Sequence, residues 1–266
     1  MHTIRVAIVT GGSSGIGKCC AEMLADTGYK VYEFSRRAEG DARVTHIKCD
    51  ITDARAVSDA TKRVFDAEGR IDLLVTCAGI GVSGAVEFIS DDMMRRQFET
   101  NLYGTIYSAK AALPYMRRQN SGKIIRISSA AAVFAIPFQT YYSASKAAIN
   151  SFVCGLRNEA KAFGVDVRCV MPGDIKTGFT AARTKQHDGN AEYGGRIDKS
   201  VAVMEKDEQN GMTPESIARF VLKLAQKRKG RPLNTPGMQY KLLVFLSKLM
   251  PSSLLCFLIG KLYIKK

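Results

Sequence analysis

The chain has few of the residue arrangements from which metal sites and disulfide frameworks are built. Its three histidines do not cluster, and its seven cysteines are odd in number and form no C-x-x-C pair. Most of the cysteines sit in apolar runs such as LLVTCAGI, which is typical of buried, reduced thiols in a cytosolic protein. The sequence therefore gives little support to a metal site, and it predicts a cytoplasmic protein.

Acidic residues are missing from the last fifth of the chain. After Glu215 there is no Asp or Glu, whereas eleven Lys or Arg residues follow and account for most of the net charge of +14. They are interleaved with apolar runs such as LLVFL, which predicts a basic amphipathic helical segment over 238–266. Such a segment favours a cover over a substrate pocket, a partner subunit or peripheral membrane contact, rather than nucleic acid.

Leader, linker and membrane-spanning patterns are also lacking. The first residues run straight into a strand pattern, and the longest uncharged stretch of the tail, 249–260, has twelve residues where a span needs about twenty. No repeat, low-complexity tract or linker divides the 266 residues. We therefore expect one domain over 1–266, in which the polar, irregular stretch 178–212 is a substrate lid.

Strand patterns alternate with helical patterns along most of the chain. The predicted strands are 5–10, 30–35, 44–50, 71–79, 122–130 and 165–173. The predicted helices are 17–28, 54–69, 90–119, the helix that carries Tyr142, and 213–230, with N-caps at Ser90 and Thr213. Because the strands are continuous apolar runs, they are expected to be buried on both faces, which indicates an α/β fold with a parallel sheet.

A glycine-rich turn lies between the first predicted strand and the first predicted helix. It contains Gly11, Gly15 and Gly17. Glycine allows a tight turn and a close approach of backbone to a pyrophosphate, and the helix N-terminus favours the negative charge. The turn therefore predicts a dinucleotide site.

The stretch QTYYSASKAAI contains a candidate catalytic pair. Tyr142 and Lys146 are four residues apart and share one face of a helix, whereas Tyr141 points elsewhere. An ammonium near a phenol favours phenolate, so Lys146 is expected to lower the pKa of Tyr142 from about 10. Taken alone, the pair is also compatible with a solvated helix face.

These elements together resemble the short-chain dehydrogenase/reductase family over about residues 4–230. The motif T-G-x-x-x-G-I-G spans 10–17, and Y-x-x-x-K is formed by Tyr142 and Lys146. The resemblance implies a single-domain, Rossmann-type doubly wound parallel sheet with helices on both faces. It also implies an NAD(P)-dependent enzyme that interconverts a secondary alcohol and a ketone.

Further positions match the family's pattern. Ser129 lies thirteen residues before Tyr142, Asn101 lies in TNLYGT, Asp50 lies in CDITD, and PGDIKTGF matches a P-G-x-x-x-T element. One departure is that Thr76 and Cys77 stand where the family often has two asparagines. Because the following Ala-Gly is retained, the loss is expected to affect support of the strand more than chemistry.

The resemblance implies a role for each catalytic residue. Tyr142 is the general acid in ketone reduction and the general base in alcohol oxidation, and Lys146 holds the nicotinamide ribose. Ser129 hydrogen-bonds the substrate oxygen, and Asn101 orders a backbone kink and a water that leads to Lys146. The implied catalytic residues are Asn101, Ser129, Tyr142 and Lys146, and the implied substrate-binding residues are Ser129 and Tyr142. The implied cofactor-binding residues are Gly11, Ser13, Ser14, Gly15, Ile16, Gly17, Ser35, Arg36, Arg37, Asp50, Ile51, Ala78, Gly79, Asn101, Tyr142, Lys146, Pro172, Gly173, Ile175 and Thr177.

The end of the second predicted strand bears on the choice of cofactor. A carboxylate there would bind the ribose of NAD, whereas Ser35, Arg36 and Arg37 suit the 2′-phosphate of NADP. Glu33 lies two residues earlier and, by strand alternation, on the same face as Ser35. The sequence therefore favours NADP(H) and keeps NAD(H) as the alternative.

The substrate and the assembly are less constrained by the sequence. Apolar residues in AAAVFAIPFQ and at Phe179 suit an apolar substrate, and the tail resembles the branch of 17-beta-hydroxysteroid dehydrogenases, which implies a steroid-, retinoid- or lipid-like alcohol or ketone. By the same resemblance, a homodimer or homotetramer is expected to form through 91–119 and 141–163. The alternatives are a nucleotide-sugar epimerase or dehydratase and a cofactor-sensing binding protein.

Overall fold

A seven-stranded parallel sheet forms the centre of the computed structural model, which describes residues 4–37, 42–228 and 230–264. The strands are β1 (Arg5–Thr10), β2 (Tyr29–Ser35), β3 (Thr45–Lys48), β4 (Leu73–Thr76), β5 (Val82–Ser83), β6 (Gly122–Ile127), β7 (Val165–Val170), β8 (Thr184–Lys185) and β9 (Leu233–Asn234). The order of the sheet is β3-β2-β1-β4-β6-β7-β9, and β5 pairs with β8 in a separate parallel ribbon.

Helices cover both faces of this sheet. They are α1 (Gly15–Asp26), α2 (Ala54–Glu68), α3 (Asp91–Phe98), α4 (Gly104–Arg118), α5 (Thr140–Ala160), α6 (Phe179–Ala182), α7 (Arg196–Gln209), α8 (Pro214–Gln226), α9 (Met238–Ser247) and α10 (Ser252–Tyr263). Along β1, Val6 and Ile8 pack in the core beneath α2, α4 and α5, while Ala7 and Val9 pack in the core beneath α1 and α8. Because both faces are buried, the central strands are mostly apolar on both sides, and the predicted doubly wound α/β fold is confirmed.

The predicted helix starts at Ser90 and Thr213 are confirmed by their hydrogen bonds. The Ser90 hydroxyl accepts from the backbone N–H of Met93 at 3.3 Å, and the Thr213 hydroxyl accepts from that of Ser216 at 3.3 Å. The predicted helical stretch over 90–119 is confirmed, since the backbone is helical from Asp91 to Arg118, but a π-helical turn at Glu99–Tyr103 lies between α3 and α4. That turn lies next to the candidate site.

The stretch 178–212 differs from the irregular loop expected from its polar sequence. It contains α6, β8 and the fourteen-residue α7. Helix α7 packs on the rest of the structure through one apolar face, on which Ile197, Val201 and Met204 are buried in two apolar clusters. The prediction of irregular structure was wrong because three or four well-spaced apolar residues suffice to pack a helix whose other positions are polar.

Two short helices, α9 and α10, make up most of the tail, and Pro251 precedes the second of them. The last two residues of the predicted segment, 265 and 266, lie outside the described residues. Among the described helices, none is both long and apolar enough to cross a bilayer.

Candidate active site

A deep crevice opens at the carboxyl ends of the strands where the sheet order reverses between β1 and β4. Its volume is about 1080 Å³, larger than a typical pocket for one small ligand, which is about 300–1,000 Å³. In doubly wound folds the dinucleotide binds at this reversal point. All predicted catalytic and cofactor-binding residues line the crevice except Asn101, which lies behind its wall.

The glycine turn forms a close-fitting cradle at one end of the crevice. A Cβ added to Gly11, whose φ is +71°, would lie 2.8 Å from the backbone of Ala78, and one added to Gly17 would lie 2.1 Å from the carbonyl oxygen of Gly11. Ser14 caps α1 without a side-chain hydrogen bond, which leaves the first N–H groups of the helix facing the crevice. Backbone that only glycine allows and a helix N-terminus together fit a pyrophosphate.

The adenosine end of the crevice contains the residues expected to choose between cofactors. Ser35, Arg36 and Arg37 line it, whereas Glu33 does not. Glu33 is only 2% exposed, its Oε1 accepts from the Ser35 hydroxyl at 3.2 Å and contacts Nδ1 of His46, and its side chain packs against Gly12. The carboxylate that left the cofactor choice open is therefore directed away from the crevice.

Asp50 lies at the same end of the crevice and is held in a fixed orientation. Its Oδ1 accepts from the backbone N–H of Thr52 at 3.0 Å and from the Thr52 hydroxyl at 2.8 Å. Burial raises the pKa of Asp50, but these hydrogen bonds and the positive charges of Arg36 and Arg96 outweigh burial and hold it below its ordinary value. A carboxylate that stays ionised is a hydrogen-bond acceptor for an adenine amino group.

Helix α5 places Tyr142 and Lys146 on the floor of the crevice. The Lys146 Nζ lies 5.4 Å from the centre of the Tyr142 ring and donates to the carbonyl oxygen of Ile127 at 3.3 Å. Ser129, which follows β6, lines the crevice as well, and its hydroxyl accepts from the backbone N–H of Ala131 at 3.1 Å. Tyr141 faces elsewhere, with its hydroxyl 3.5 Å from the carbonyl oxygen of Val86. Tyr142 and Lys146, which are four residues apart, thus lie side by side as the helix pattern predicts.

Lys146 does not give the expected lowering of the Tyr142 pKa. Burial raises the pKa of Tyr142 to about 12, although the nearby Ser129 hydroxyl and the charges of Arg183 and Arg126 act against it. Burial and the charge of Arg126 also depress the pKa of Lys146 well below its ordinary value. The prediction was wrong because a buried ammonium is itself destabilised and contributes little charge to its neighbour.

The π-helical turn positions Asn101 behind the crevice wall. Its side chain accepts from the backbone N–H of Ile80 at 2.9 Å and donates to the Ile80 carbonyl oxygen at 3.1 Å and to the Ser145 hydroxyl at 3.2 Å. A Cβ on Gly79 would lie 3.2 Å from the Asn101 Oδ1 and 3.8 Å from the Lys146 Nζ. The predicted backbone kink is thus present at Asn101, and glycine leaves room beside the lysine for a ribose.

Arg126 is a residue of the site that the sequence analysis missed. It lies on β6, is 1% exposed, and its guanidinium donates to the carbonyl oxygens of Thr76 at 2.8 Å, Ala78 at 3.0 Å and Asn101 at 3.1 Å. It therefore supports the segment where the family's two asparagines are missing and joins that segment to the π-helical turn. The available signal was a charged residue inside the apolar run KIIRISS, since an unpaired arginine is seldom buried without a role.

The far end of the crevice has an apolar wall. Phe134, Ile136 and Phe179 line it, and the Phe179 ring centre lies 5.9 Å from that of Tyr142. Val133 and Phe138 do not line it and pack in apolar clusters instead. The tail, whose predicted roles include a cover over the substrate pocket, completes this wall, and the aliphatic side chains of α9 and α10 that line it are Leu243, Leu246, Leu255, Leu258, Ile259 and Leu262.

Tyr240 anchors α9 to the crevice. Its ring packs on Gly173, where an added Cβ would lie 2.0 Å away, and its hydroxyl donates to Asp174 Oδ2 at 2.5 Å. Asp174, Asp207 and Glu208 line the crevice near this point. Glu208 is paired with Arg183 and accepts from the Thr180 hydroxyl at 2.5 Å. The crevice thus combines an apolar wall with a local excess of negative charge.

Comparison with known proteins identifies similar sequences and structures over nearly the whole chain. A family model described as short chain dehydrogenase matches residues 5–188. The chain is 37% identical over 234 residues to a 3-ketodihydrosphingosine reductase of Bacteroides thetaiotaomicron, covering 87% of each sequence. It is 30% identical over 273 residues to dehydrogenase/reductase SDR family member 7B of Xenopus tropicalis, covering 96% of this chain and 85% of that protein. A solved short-chain dehydrogenase of Streptomyces avermitilis matches with a TM-score of 0.84 at 27% identity, covering 98% of this chain and 96% of that one.

Proposed function

Because the chain belongs to the short-chain dehydrogenase family, and is therefore an NAD(P)-dependent oxidoreductase of alcohols and ketones, we propose that it reduces a long-chain ketone with NADPH. The observation that carries this proposal is the position of Tyr142. The phenol stands where the glycine-cradled part of the crevice meets an apolar wall of Phe134, Phe179 and the tail helices. A reactive carbonyl held there has a proton donor on one side and room for an alkyl chain on the other.

In the proposed reaction, the protein residues supply orientation and a proton. The bound nicotinamide supplies the hydride to the carbonyl carbon. Ser129 donates a hydrogen bond to the carbonyl oxygen, and Tyr142 transfers its phenolic proton to the same oxygen as the alcohol forms. Burial keeps Tyr142 protonated, which suits its role as the acid in the reductive direction. Lys146 holds the ribose through the space that Gly79 leaves open.

The proposed substrate class is a lipophilic ketone with a long alkyl chain. The relative from Bacteroides is named for 3-ketodihydrosphingosine, which is a long-chain ketone with an amino group on the carbon next to the carbonyl and a hydroxyl group one carbon further. The apolar residues of α9 and α10 in the crevice wall suit the alkyl chain, and Asp207, beside the engaged carboxylates Asp174 and Glu208, suits an ammonium group. These features support an amino ketone more than a steroid, which carries no positive charge.

We propose NADPH rather than NADH as the cofactor. Arg36 and Arg37 are exposed at the rim of the crevice, where guanidinium groups can bind a 2′-phosphate. Glu33, the carboxylate that would repel that phosphate, is buried against Ser35 and His46. The 178–212 segment acts as a lid in this proposal, because Phe179, Ala182 and Met212 face the crevice. Assembly through 91–119 and 141–163 as a homodimer or homotetramer is proposed with it.

A matched pair of tyrosine variants tests this function. NADPH oxidation is followed with 3-ketodihydrosphingosine, with a long-chain ketone lacking the amino group, with a ketosteroid and with a short ketone. We expect the wild type to turn over 3-ketodihydrosphingosine. In Tyr142→Phe the rate should fall at least about a thousandfold while NADPH binding is retained, and in Tyr141→Phe the rate should change little. Near-normal activity of Tyr142→Phe would refute the catalytic assignment. A preference for the ketosteroid or the short ketone would refute the substrate class.

A further inference from the structure

Helix α9 carries two apolar stripes, and only one of them is used by the crevice. Leu243 and Leu246 line the crevice on the inner side. The outer stripe of α9 and its C-terminal extension consists of residues spaced four, three and four apart, which is the spacing of one helix face. Its members, with their exposed fractions, are Met238 at 79%, Leu242 at 56%, Phe245 at 59% and Leu249 at 69%.

Helix α10 extends this apolar surface. Leu254 and Phe257 are exposed on it and do not line the crevice. Of the fourteen large hydrophobic side chains exposed in the described ranges, ten lie between Met238 and Leu262. Such a concentration on one part of a surface marks an interaction site rather than the scattered apolar residues normal for a soluble protein. We call the outer residues of α9 and α10 the tail surface: Met238, Leu242, Phe245, Leu249, Leu254 and Phe257.

The charged side chains of the two tail helices all have one sign. Lys241, Lys248 and Lys261 are exposed beside it, and the chain has no acidic residue after Glu215. A two-fold contact between two copies would bring these lysines face to face, which disfavours association. An anionic lipid bilayer instead accommodates the apolar side chains of the tail surface in its acyl region, and its negatively charged headgroups attract the lysines.

We propose that the tail surface docks the protein onto an anionic lipid bilayer. At ten and twelve residues, α9 and α10 are too short to span a bilayer of about 30 Å, but each can lie along its surface with one face immersed. The inner residues of the same helices form the crevice wall, so docking brings the crevice opening to the lipid. Delivery of a lipid substrate by this route rests on the proposed function, whereas docking itself does not.

Flotation with vesicles tests docking without any need for turnover. The full chain is mixed with vesicles of phosphatidylcholine alone or with phosphatidylglycerol added, and bound protein is measured after centrifugation. The apolar variant is Phe245→Gln/Leu249→Gln, and its matched control is Ile4→Gln/Val86→Gln, which changes two exposed apolar residues outside the tail and outside the proposed assembly faces. The charge variant is Lys241→Gln/Lys248→Gln/Lys261→Gln.

We expect the wild type and the control to float with anionic vesicles. The affinity of the apolar variant for these vesicles should fall at least about tenfold, because two large apolar side chains are no longer transferred from water into lipid. The charge variant should lose the preference for phosphatidylglycerol, and added salt should do the same to the wild type. Far-ultraviolet circular dichroism and NADPH binding, unchanged in each variant, show that the fold is retained.

Two results would overturn docking on lipid. One is a wild type that floats with neither vesicle, and the other is an apolar variant that floats like the control. Light scattering coupled to gel filtration identifies the competing occupant, since an assembly that dissociates in the apolar variant shows that a second copy covers the surface. A protein that floats but does not reduce long-chain ketones would refute the proposed function and leave docking intact.

Discussion

Replacing Arg126 separates the structural support of the site from its electrostatics. The guanidinium donates three hydrogen bonds to backbone carbonyls and pairs with no carboxylate in the described part of the chain. It also acts on Tyr142, because its positive charge lowers the pKa that burial raises. Arg126→Lys keeps the charge but loses the fork that reaches both strand and π-helical turn, whereas Arg126→Gln loses both.

The expected change in stability follows from the three carbonyl oxygens. The Asn101 carbonyl keeps a donor, the Thr105 hydroxyl at 2.7 Å, and the Thr76 carbonyl lies in the ladder between β4 and β6, so the loss falls mainly on Ala78. A buried group that loses its partner costs about 1–3 kcal/mol, and removal of an unpaired buried cation offsets part of that. We expect both variants to lose about 1–3 kcal/mol in free energy of unfolding, with a melting temperature lowered by about 2–4 °C for each kcal/mol.

The electrostatic effect is measured in the direction of alcohol oxidation, where Tyr142 must be deprotonated. Without the positive charge at position 126, the pKa of Tyr142 rises further, so the inflection in kcat/KM moves to higher pH in Arg126→Gln and stays close to wild type in Arg126→Lys. If the pKa of Tyr142 is higher by one, the rate at a fixed pH below the inflection is about tenfold lower. Denaturant unfolding and pH profiles of the same preparations give the two readouts.

Arg168→Gln is the matched control. Arg168 is equally buried on the neighbouring strand β7 but lies away from Tyr142: it donates to the carbonyl oxygens of Leu224 at 3.0 Å and Lys227 at 2.9 Å and, unlike Arg126, is paired with a carboxylate, Asp166 Oδ2 at 2.5 Å. It should lower stability without moving the inflection. An unshifted inflection in Arg126→Gln would show that Arg126 acts through support alone. Unchanged stability and an unchanged profile together would refute the whole account of this residue.

Three further predictions rest on separate parts of the structure. The pKa of Tyr142 is raised to about 12, so Tyr142 should form no phenolate below about pH 11 in the absence of cofactor. Ultraviolet titrations of the wild type and of Tyr142→Phe should therefore coincide up to that pH. Burial and the charge of Arg168 lower the pKa of Lys123 from 10.5 to about 8. Between these two pH values the unfolded chain holds the Lys123 proton and the folded chain does not, so the free energy of unfolding rises with pH. Denaturant unfolding of Lys123→Gln over the same range should lack that rise. In Arg36→Ser/Arg37→Ser, kcat/KM should fall about tenfold or more for NADPH and change little for NADH; equal losses would contradict the phosphate-binding role.

The sequence allowed prediction of the features whose information is local. Four-residue spacing distinguishes Tyr142 from Tyr141, and a glycine turn between strand and helix locates the nucleotide cradle without any tertiary contact. Continuous apolar strands likewise predict a sheet covered on both faces. These features depend on helix periodicity, glycine stereochemistry and burial, which neighbouring residues largely determine.

Features that depend on distant partners could not be predicted. Strand alternation places Glu33 on the face of Ser35, but only the packing of Gly12 and the contact with His46 take its carboxylate away from the crevice. The family resemblance implied a kink at Asn101, but the side-chain bonds of Asn101 that hold the π-helical turn run to Ile80, twenty-one residues earlier in the chain, and no local pattern displays them. Tertiary contacts of this kind override local propensity, which is why they concentrate at the site.

The buried cations of the crevice floor bear on the direction of the reaction. Arg126 and Lys146 both have a pKa lowered mainly by burial, and in the cofactor-free site they do not outweigh the burial that keeps Tyr142 neutral. A reduced nicotinamide is uncharged and leaves the phenol protonated, whereas an oxidised one is positive and favours phenolate. The same phenol is therefore an acid beside the reduced cofactor and a base beside the oxidised one. Ketone reduction should accordingly stay insensitive to pH over a wide range, while alcohol oxidation should depend on pH through Tyr142.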